Sequence, residues 1–150
     1  MRFKKQIAEM SGAYSAIFTP YDSAGDVNLD MLTAITEYQL AHGIRGFFVT
    51  GSTGEGLLLS FEERLAVIKQ VIEVAGKRAT IVAHVGHPST DVAIRLAQAA
   101  AVYGADWISS VAPIYHGTTF EGALRHYKSI AGATDLPFMI YSLGGVIQSE

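Results

Sequence analysis

Cysteine is absent from the 150 residues, so neither a disulfide framework nor a thiolate metal site is possible. Positive charge is also scarce. The 11 Lys and Arg are outnumbered by 14 Asp and Glu, giving a net charge of -3. That balance lacks the clustered cations that nucleic-acid phosphates demand. No apolar stretch approaches the roughly 18 residues that a membrane span requires. The basic start, Met1 to Met10, leads into Glu9 rather than into a long apolar core. We therefore expect a cytoplasmic protein with neither a membrane nor a nucleic-acid partner. Linkers, charge blocks and low-complexity segments are missing too, which leaves one compact domain as the natural reading.

What is present is a composition that can bury a core, 49% hydrophobic and 17% charged with 15 Gly. Short apolar runs rich in β-branched and aromatic residues alternate with longer stretches of helical period, the pattern of βαβ crossovers in a parallel sheet. The runs predict strands over Tyr14–Phe18, Gly46–Thr50, Thr80–Val85, Trp107–Val111 and Phe138–Tyr141. Ser60 with Glu63, and Thr118 with Glu121, have the Ser/Thr-x-x-Glu spacing of capping boxes and mark two helix starts. Gly43, Gly76 and Gly104 each stand between a periodic stretch and a strand, where positive φ is often needed. Three apolar stripes should face the sheet: Met31, Ala34, Ile35 and Tyr38; Leu65, Ile68, Val71 and Ile72; and Ala93, Leu96, Ala97 and Ala100. Trp107 reads as core volume. The βα unit recurs about every 30 residues, and a closed eight-stranded barrel needs about 250. Two α/β architectures fit: just over half of a (β/α)8 TIM barrel, or an open doubly wound sheet of about five strands.

Either architecture places ligands at the carboxyl ends of the strands. There the sequence gathers Thr50-Gly51-Ser52-Thr53-Gly54-Glu55-Gly56, His84-Val85-Gly86-His87, Pro113-Ile114-Tyr115-His116, and Tyr141. The first segment suits an anion, because glycine lets backbone N–H groups approach closely and Ser52 and Thr53 add hydroxyl donors. It is not a Walker loop, since the Gly-Lys-Ser/Thr ending is missing. Glu55 is read as standing where a helix begins, with a structural role at the helix dipole. His84, His87 and His116 have no carboxylate at ligand spacing and are read as hydrogen-bonded loop residues; no metal is expected.

In chain order, Gly51-Ser52-Thr53-Gly54-Glu55, Ser60-Phe61-Glu62-Glu63-Arg64, Ile81-Val82-Ala83-His84-Val85-Gly86 and Leu136-Pro137-Phe138-Met139-Ile140-Tyr141 resemble the N-acetylneuraminate lyase and dihydrodipicolinate synthase family of class I pyruvate-dependent aldolases. The resemblance runs from Tyr14-Ser15-Ala16-Ile17-Phe18-Thr19-Pro20 onward and covers essentially the whole chain. It implies a TIM barrel, of which residues 1–150 are the N-terminal part: the first four βα units plus strand five. It also implies a homo-oligomer, usually a tetramer, and a lysine on the sixth strand that forms a Schiff base with pyruvate or another 2-oxo acid, with no cofactor. By the same resemblance Ser52, Thr53 and Gly54 would hold the substrate carboxylate, Tyr141 would relay a proton beside the imine, and Tyr115 would be the family tyrosine approaching from, or packing against, a neighbouring subunit.

The lysines Lys4, Lys5, Lys69, Lys77 and Lys128 all fall in the leading arm, on expected helices, or just past a helix end at the opposite rim. The Schiff-base lysine is therefore expected beyond Glu150, and the 150-residue chain alone is expected to be inactive. His84-Val85-Gly86 resembles the lyase branch, and Tyr141 is followed by Ser142-Leu143 where Asn-x-Pro is usual. Retro-aldol cleavage of the N-acetylneuraminate lyase kind is thus the first expectation. A dihydrodipicolinate synthase-like condensation is the second. A non-catalytic, self-associating half-barrel that binds a 2-oxo acid is the third.

Overall fold

The computed structural model describes residues 10–114 and 118–142. Strands and helices alternate in the order β1 (Ala13–Ala16), α1 (Leu29–Ala41), β2 (Ile44–Val49), α2 (Phe61–Ala75), β3 (Thr80–His84), α3 (Thr90–Tyr103), β4 (Trp107–Val111), α4 (Phe120–Ala131) and β5 (Phe138–Tyr141). All five strands lie in one sheet in the order β1-β2-β3-β4-β5, and every neighbouring pair is parallel. A doubly wound sheet must reverse its strand order at a switch point. This one never reverses. Right-handed crossovers then put every helix on the same face, and the helices pack in sequence, α1 on α2, α2 on α3 and α3 on α4. The open doubly wound alternative is excluded for the described residues.

Side-chain alternation divides the sheet into two faces. Phe47 and Val49 of β2, Ile81 and Ala83 of β3, and Ile108 of β4 point into the helix layer and form one core with Val67, Ile68 and Val71 of α2 and Leu96, Ala97 and Ala100 of α3. On the opposite face the register sets Ala16 beside Phe48, Phe48 beside Val82, Val82 beside Trp107, His84 beside Ser109 and Val111 beside Tyr141. Trp107 is 7% exposed and fills volume there, as expected.

Local chemistry explains the element ends. In the capping box of α2, the Ser60 amide donates to Glu63 Oε2 at 2.8 Å and the Glu63 amide to Ser60 Oγ at 3.2 Å. The second box does not form. Thr119, not Thr118, caps α4 by accepting from the Gly122 amide at 3.1 Å, which puts Glu121 one position too early to reach back. Two adjacent threonines made either register plausible in the sequence. Gly43, Gly76 and Gly104 all take positive φ, as their places before strands require.

The stripes on α2 and α3 are buried, whereas the α1 stripe is not. Met31 and Tyr38 are 51% and 65% exposed and Ala34 is exposed too, so of that stripe Ile35 alone packs on the core, together with Leu32, Thr36 and Leu40. Thr36 tolerates burial because its hydroxyl donates to Leu32 O at 2.8 Å, and a count of apolar residues alone misses it. Truncation should separate these faces: Ile68→Ala is expected to lower unfolding free energy by about 2–5 kcal/mol in urea titration, and Tyr38→Ala by less than about 0.5 kcal/mol. Equal losses would contradict the packing described.

Candidate functional site

The turn after β2 is held in an unusual backbone shape. Thr50 (φ 55) and Glu55 (φ 53) are the non-glycine residues with positive φ among those described. A β-branched residue in that region is strained and persists only when its surroundings over-determine it. Thr50 is over-determined. It is 1% exposed, and its hydroxyl hydrogen is shared between Val49 O at 2.8 Å and His84 O at 2.9 Å. The turn closes on itself through Gly56 N donating to Gly51 O (3.1 Å), while Thr19 Oγ1 donates to Gly54 O (2.8 Å) and ties it to the segment after β1. A Cβ on Gly56 would lie 2.0 Å from Thr50 O, and one on Gly54 would lie 2.9 Å from Ile17 O, so both glycines are steric requirements.

Beneath the turn sits Arg64, only 2% exposed. Its guanidinium donates to Gly86 O at 2.9 Å, to His84 O at 2.6 Å and, more weakly, to Thr50 O at 3.5 Å. His84 Nδ1 stands 3.2 Å from the same guanidinium and 3.3 Å from Thr50 O, so it accepts from Arg64 in one tautomer and donates to the Thr50 carbonyl in the other. Burial pushes the Arg64 pKa down to about 10, which leaves it charged at neutral pH. Burial first and the Arg64 charge second push His84 down to about 4, against a smaller opposing pull from the Thr50 backbone. His84 is therefore neutral across the physiological range. Its ring meets Tyr141 edge-on, with centroids 5.8 Å apart and planes at 90°, and Phe48 lies 5.7 Å from both rings.

Two adjoining cavities open at this rim. One, of about 190 Å³, is lined by residues including Thr50, Ser52, Glu55, His84 and Tyr141. The other, of about 210 Å³, is lined by Ala16, Phe48, Gly51, Ser52, Thr53, Gly54 and Tyr141. Ser52, Thr53, Gly54 and Tyr141, which come from two distant parts of the sequence, thus share one space. Tyr115 lies outside the described residues, as do His116, Lys4 and Lys5.

A larger hollow of about 650 Å³ lies at the opposite rim, lined by residues including Arg45, Lys77, Arg78 and Asp106. Two of its charges are engaged: Arg78 pairs with both Glu37 carboxylate oxygens, and Asp106 accepts from the Ile81 amide at 2.8 Å. It is also remote from the strands' carboxyl ends.

Lys77 lines that opposite hollow, and Lys69 pairs with Glu73 at 3.6 Å on the exposed surface of α2. Lys128 is exposed on α4. Among the described residues, then, no lysine lines either cavity at the Ser52–Tyr141 rim. Nor do they hold a group of three metal-ligating side chains; His84 is engaged with Arg64, and His87 Nδ1 accepts from the Ser89 amide at 2.9 Å. Glu55 does not stand at a helix start. The helix begins at Phe61 with Ser60 as its cap, so the Glu55 carboxylate belongs to the rim of the cavity rather than to the α2 dipole. Arg64 went unassigned in the sequence because an arginine in the first turn of an amphipathic helix ordinarily points to solvent. The one available signal was its place in the Ser60–Arg64 motif.

Residues 9–147 match the dihydrodipicolinate synthetase family. The chain belongs to that family. It is 38% identical over 129 residues to the 4-hydroxy-tetrahydrodipicolinate synthase 2 of Halalkalibacterium halodurans, covering 86% of this chain and 44% of that protein. Among solved structures, a dihydrodipicolinate synthase from Acinetobacter baumannii complexed with pyruvate superposes with a TM-score of 0.86 at 40% identity, over 91% of this chain and 47% of that one. An N-acetylneuraminate lyase from Mycoplasma synoviae gives the same TM-score at 30% identity, over 92% of this chain and 48% of that one. The chain thus spans about half the length of the relatives it matches. Its sheet and helices are the first four βα units and the fifth strand of the family's TIM barrel.

The depressed His84 pKa fixes a pH response. An unfolded histidine titrates near 6.5 and the folded one near 4, so between those values the unfolded chain binds more protons. The stability that the neutral ring contributes is complete above pH 6.5 and is lost as pH falls towards 4, by about 3 kcal/mol in total. Urea midpoints should fall over that window, and the His84 Cε1–H resonance should titrate near the lower value. A midpoint near 6.5 would show the ring to be solvated.

Proposed function

We propose that this chain supplies the 2-oxo-acid-binding part of a Schiff-base aldolase that joins pyruvate to an aldehyde. The observation that carries the reading is the single space shared by Ser52, Thr53, Gly54 and Tyr141. Ser52, Thr53 and the backbone at Gly54 hold the carboxylate of the 2-oxo acid, and hydroxyl and amide donors match a carboxylate's acceptor-only character. Tyr141 sits across from them as the proton relay, its ring fixed by His84 and Phe48 and its hydroxyl free to pass a proton during carbinolamine breakdown. Tyr115 is assigned the family tyrosine's place near a neighbouring subunit in a homo-oligomer. The nucleophile is a lysine on a sixth strand, attacking in its neutral form. The 150 residues alone are accordingly inactive.

Curated relatives include 4-hydroxy-tetrahydrodipicolinate synthases, at 38% identity for one and 37% for another from Neisseria meningitidis, while solved synthases reach 40% and fall to 30%, the identity of two lyase structures. This supports condensation as the direction of the chemistry and reverses the preference that His84-Val85-Gly86 had given to cleavage. Pyruvate itself is supported as the 2-oxo acid by the related synthase solved with it.

Titrating the chain with pyruvate while following amide resonances tests the site. Shifts are expected at Gly51–Gly54 and Tyr141, weakened on the order of tenfold by Ser52→Ala, which removes one charge-assisted hydrogen bond. Tyr141→Phe should leave both binding and stability nearly unchanged, since the ring contacts remain. Shifts confined to Arg45 and Lys77 at the opposite rim would refute the assignment. Borohydride with labelled pyruvate should leave this chain unlabelled; labelling would show that the nucleophile has been misplaced.

A further inference from the structure

Arg64 is a buried cation with no anion beside it. Its hydrogen-bond partners are neutral: three carbonyl oxygens and one imidazole nitrogen. The salt bridges among the described residues, Lys69–Glu73 and Arg78–Glu37, do not involve it. Its neighbour Glu63 is engaged at the helix cap. Arg64 Nε, moreover, is buried with no partner at all. Buried charges in proteins are ordinarily paired, because removing an ion from water costs several kcal/mol unless an opposite charge restores it. Two of the residues that Arg64 grips, Thr50 and His84, form the wall of the Ser52–Tyr141 cavity.

The peptide geometry carries this charge towards the cavity. A trans peptide sets its C=O and N–H antiparallel, so when Thr50 O turns to the guanidinium the Gly51 N–H points away from it. Gly51 lines both cavities. A cation on the carbonyl end polarises the peptide and strengthens the positive end of its dipole.

We infer that Arg64 makes this cavity selective for anions: the countercharge that the guanidinium lacks within the described residues is the carboxylate of the bound 2-oxo acid. Arg64 does not line the cavity, and it acts as a positioning residue through the Thr50 and His84 backbone. Burial lowers the His87 pKa, the Ser89 backbone opposes it, and the Arg64 charge adds a smaller lowering. This inference rests on the 2-oxo-acid reading of the site and adds the source of its charge preference.

Pyruvate and its neutral methyl ester separate charge from shape. In the wild-type chain, pyruvate should shift the Gly51–Gly54 amides with an affinity on the order of tenfold above that of the ester, the size expected for a charge pair in a partly desolvated site. Arg64→Lys keeps the charge and should retain the preference. Arg64→Gln keeps donors without charge and should abolish it. If Arg64 is merely structural, both variants will weaken the two ligands equally and leave the preference intact, and the inference is overturned. Should either variant fail to fold, the wild-type Arg64 Nε–H resonance decides: a shift with pyruvate and none with the ester supports the inference, and the same response to both sinks it. If pyruvate moves no resonance of the Gly51–Gly54 turn in the wild type, the 2-oxo-acid reading itself falls and takes this assignment with it.

Discussion

The buried guanidinium of Arg64 is the interaction on which the rim depends. It joins three segments: the turn after β2 through Thr50 O, the end of β3 through His84 O, and the loop beyond it through Gly86 O. Placing a charge at 2% exposure is expensive, and only partial charges of carbonyls offset that cost. The return is conformational. Thr50 is kept at positive φ by the carbonyl contact below and the hydroxyl contact to His84 O, and the Gly51–Gly54 turn is displayed from that fixed point. His84 Nδ1 is held between the guanidinium and the Thr50 carbonyl, and its ring in turn seats Tyr141.

The sheet provides the frame in which one arginine can do this. Sequential parallel order places the carboxyl ends of β2, β3, β4 and β5 side by side, so turns distant in sequence meet at a single rim. Alternation sends Phe47, Val49, Ile81 and Ala83 to the helices, and it leaves Phe48, His84 and Tyr141 on the opposite face. A one-residue slip in β2 would exchange these sets and move Phe48 away from Tyr141. Core and site are therefore specified by the same register.

How much of this was legible in the sequence varies with the physical signal. Strands of continuous apolar residues and glycines before strands were legible, because burial and positive φ restrict residue choice strongly. So was the proximity of Ser52 and Thr53 to Tyr141, once the carboxyl ends of parallel strands were known to gather. The buried face of α1 was not, because Thr36 buries a hydroxyl that satisfies itself within the helix. The α4 cap was ambiguous between Thr118 and Thr119, where one residue of register decides whether Glu121 can close a box. The roles of Arg64 and of the strained Thr50 were not legible for a deeper reason: both depend on tertiary carbonyl contacts, and the Ser60–Arg64 motif marked the arginine without showing what it grips. The resemblance fixed the family, yet its His84-Val85-Gly86 segment pointed to the lyase branch. His84 now has a sufficient reason to be there in packing and in its bond to Arg64, so it carries no information about the direction of the reaction.

The neutrality of the partners of Arg64 bears on the proposed anion site as well. A fixed cation disfavours a second positive charge beside it, as it disfavours imidazolium at His84. An acidic partner within the protein would satisfy the guanidinium but cancel its field at the cavity, on which the proposed carboxylate site depends. Neutral carbonyl partners hold the arginine in place without quenching it, and that accounts for a buried charge whose hydrogen bonds lead to no carboxylate.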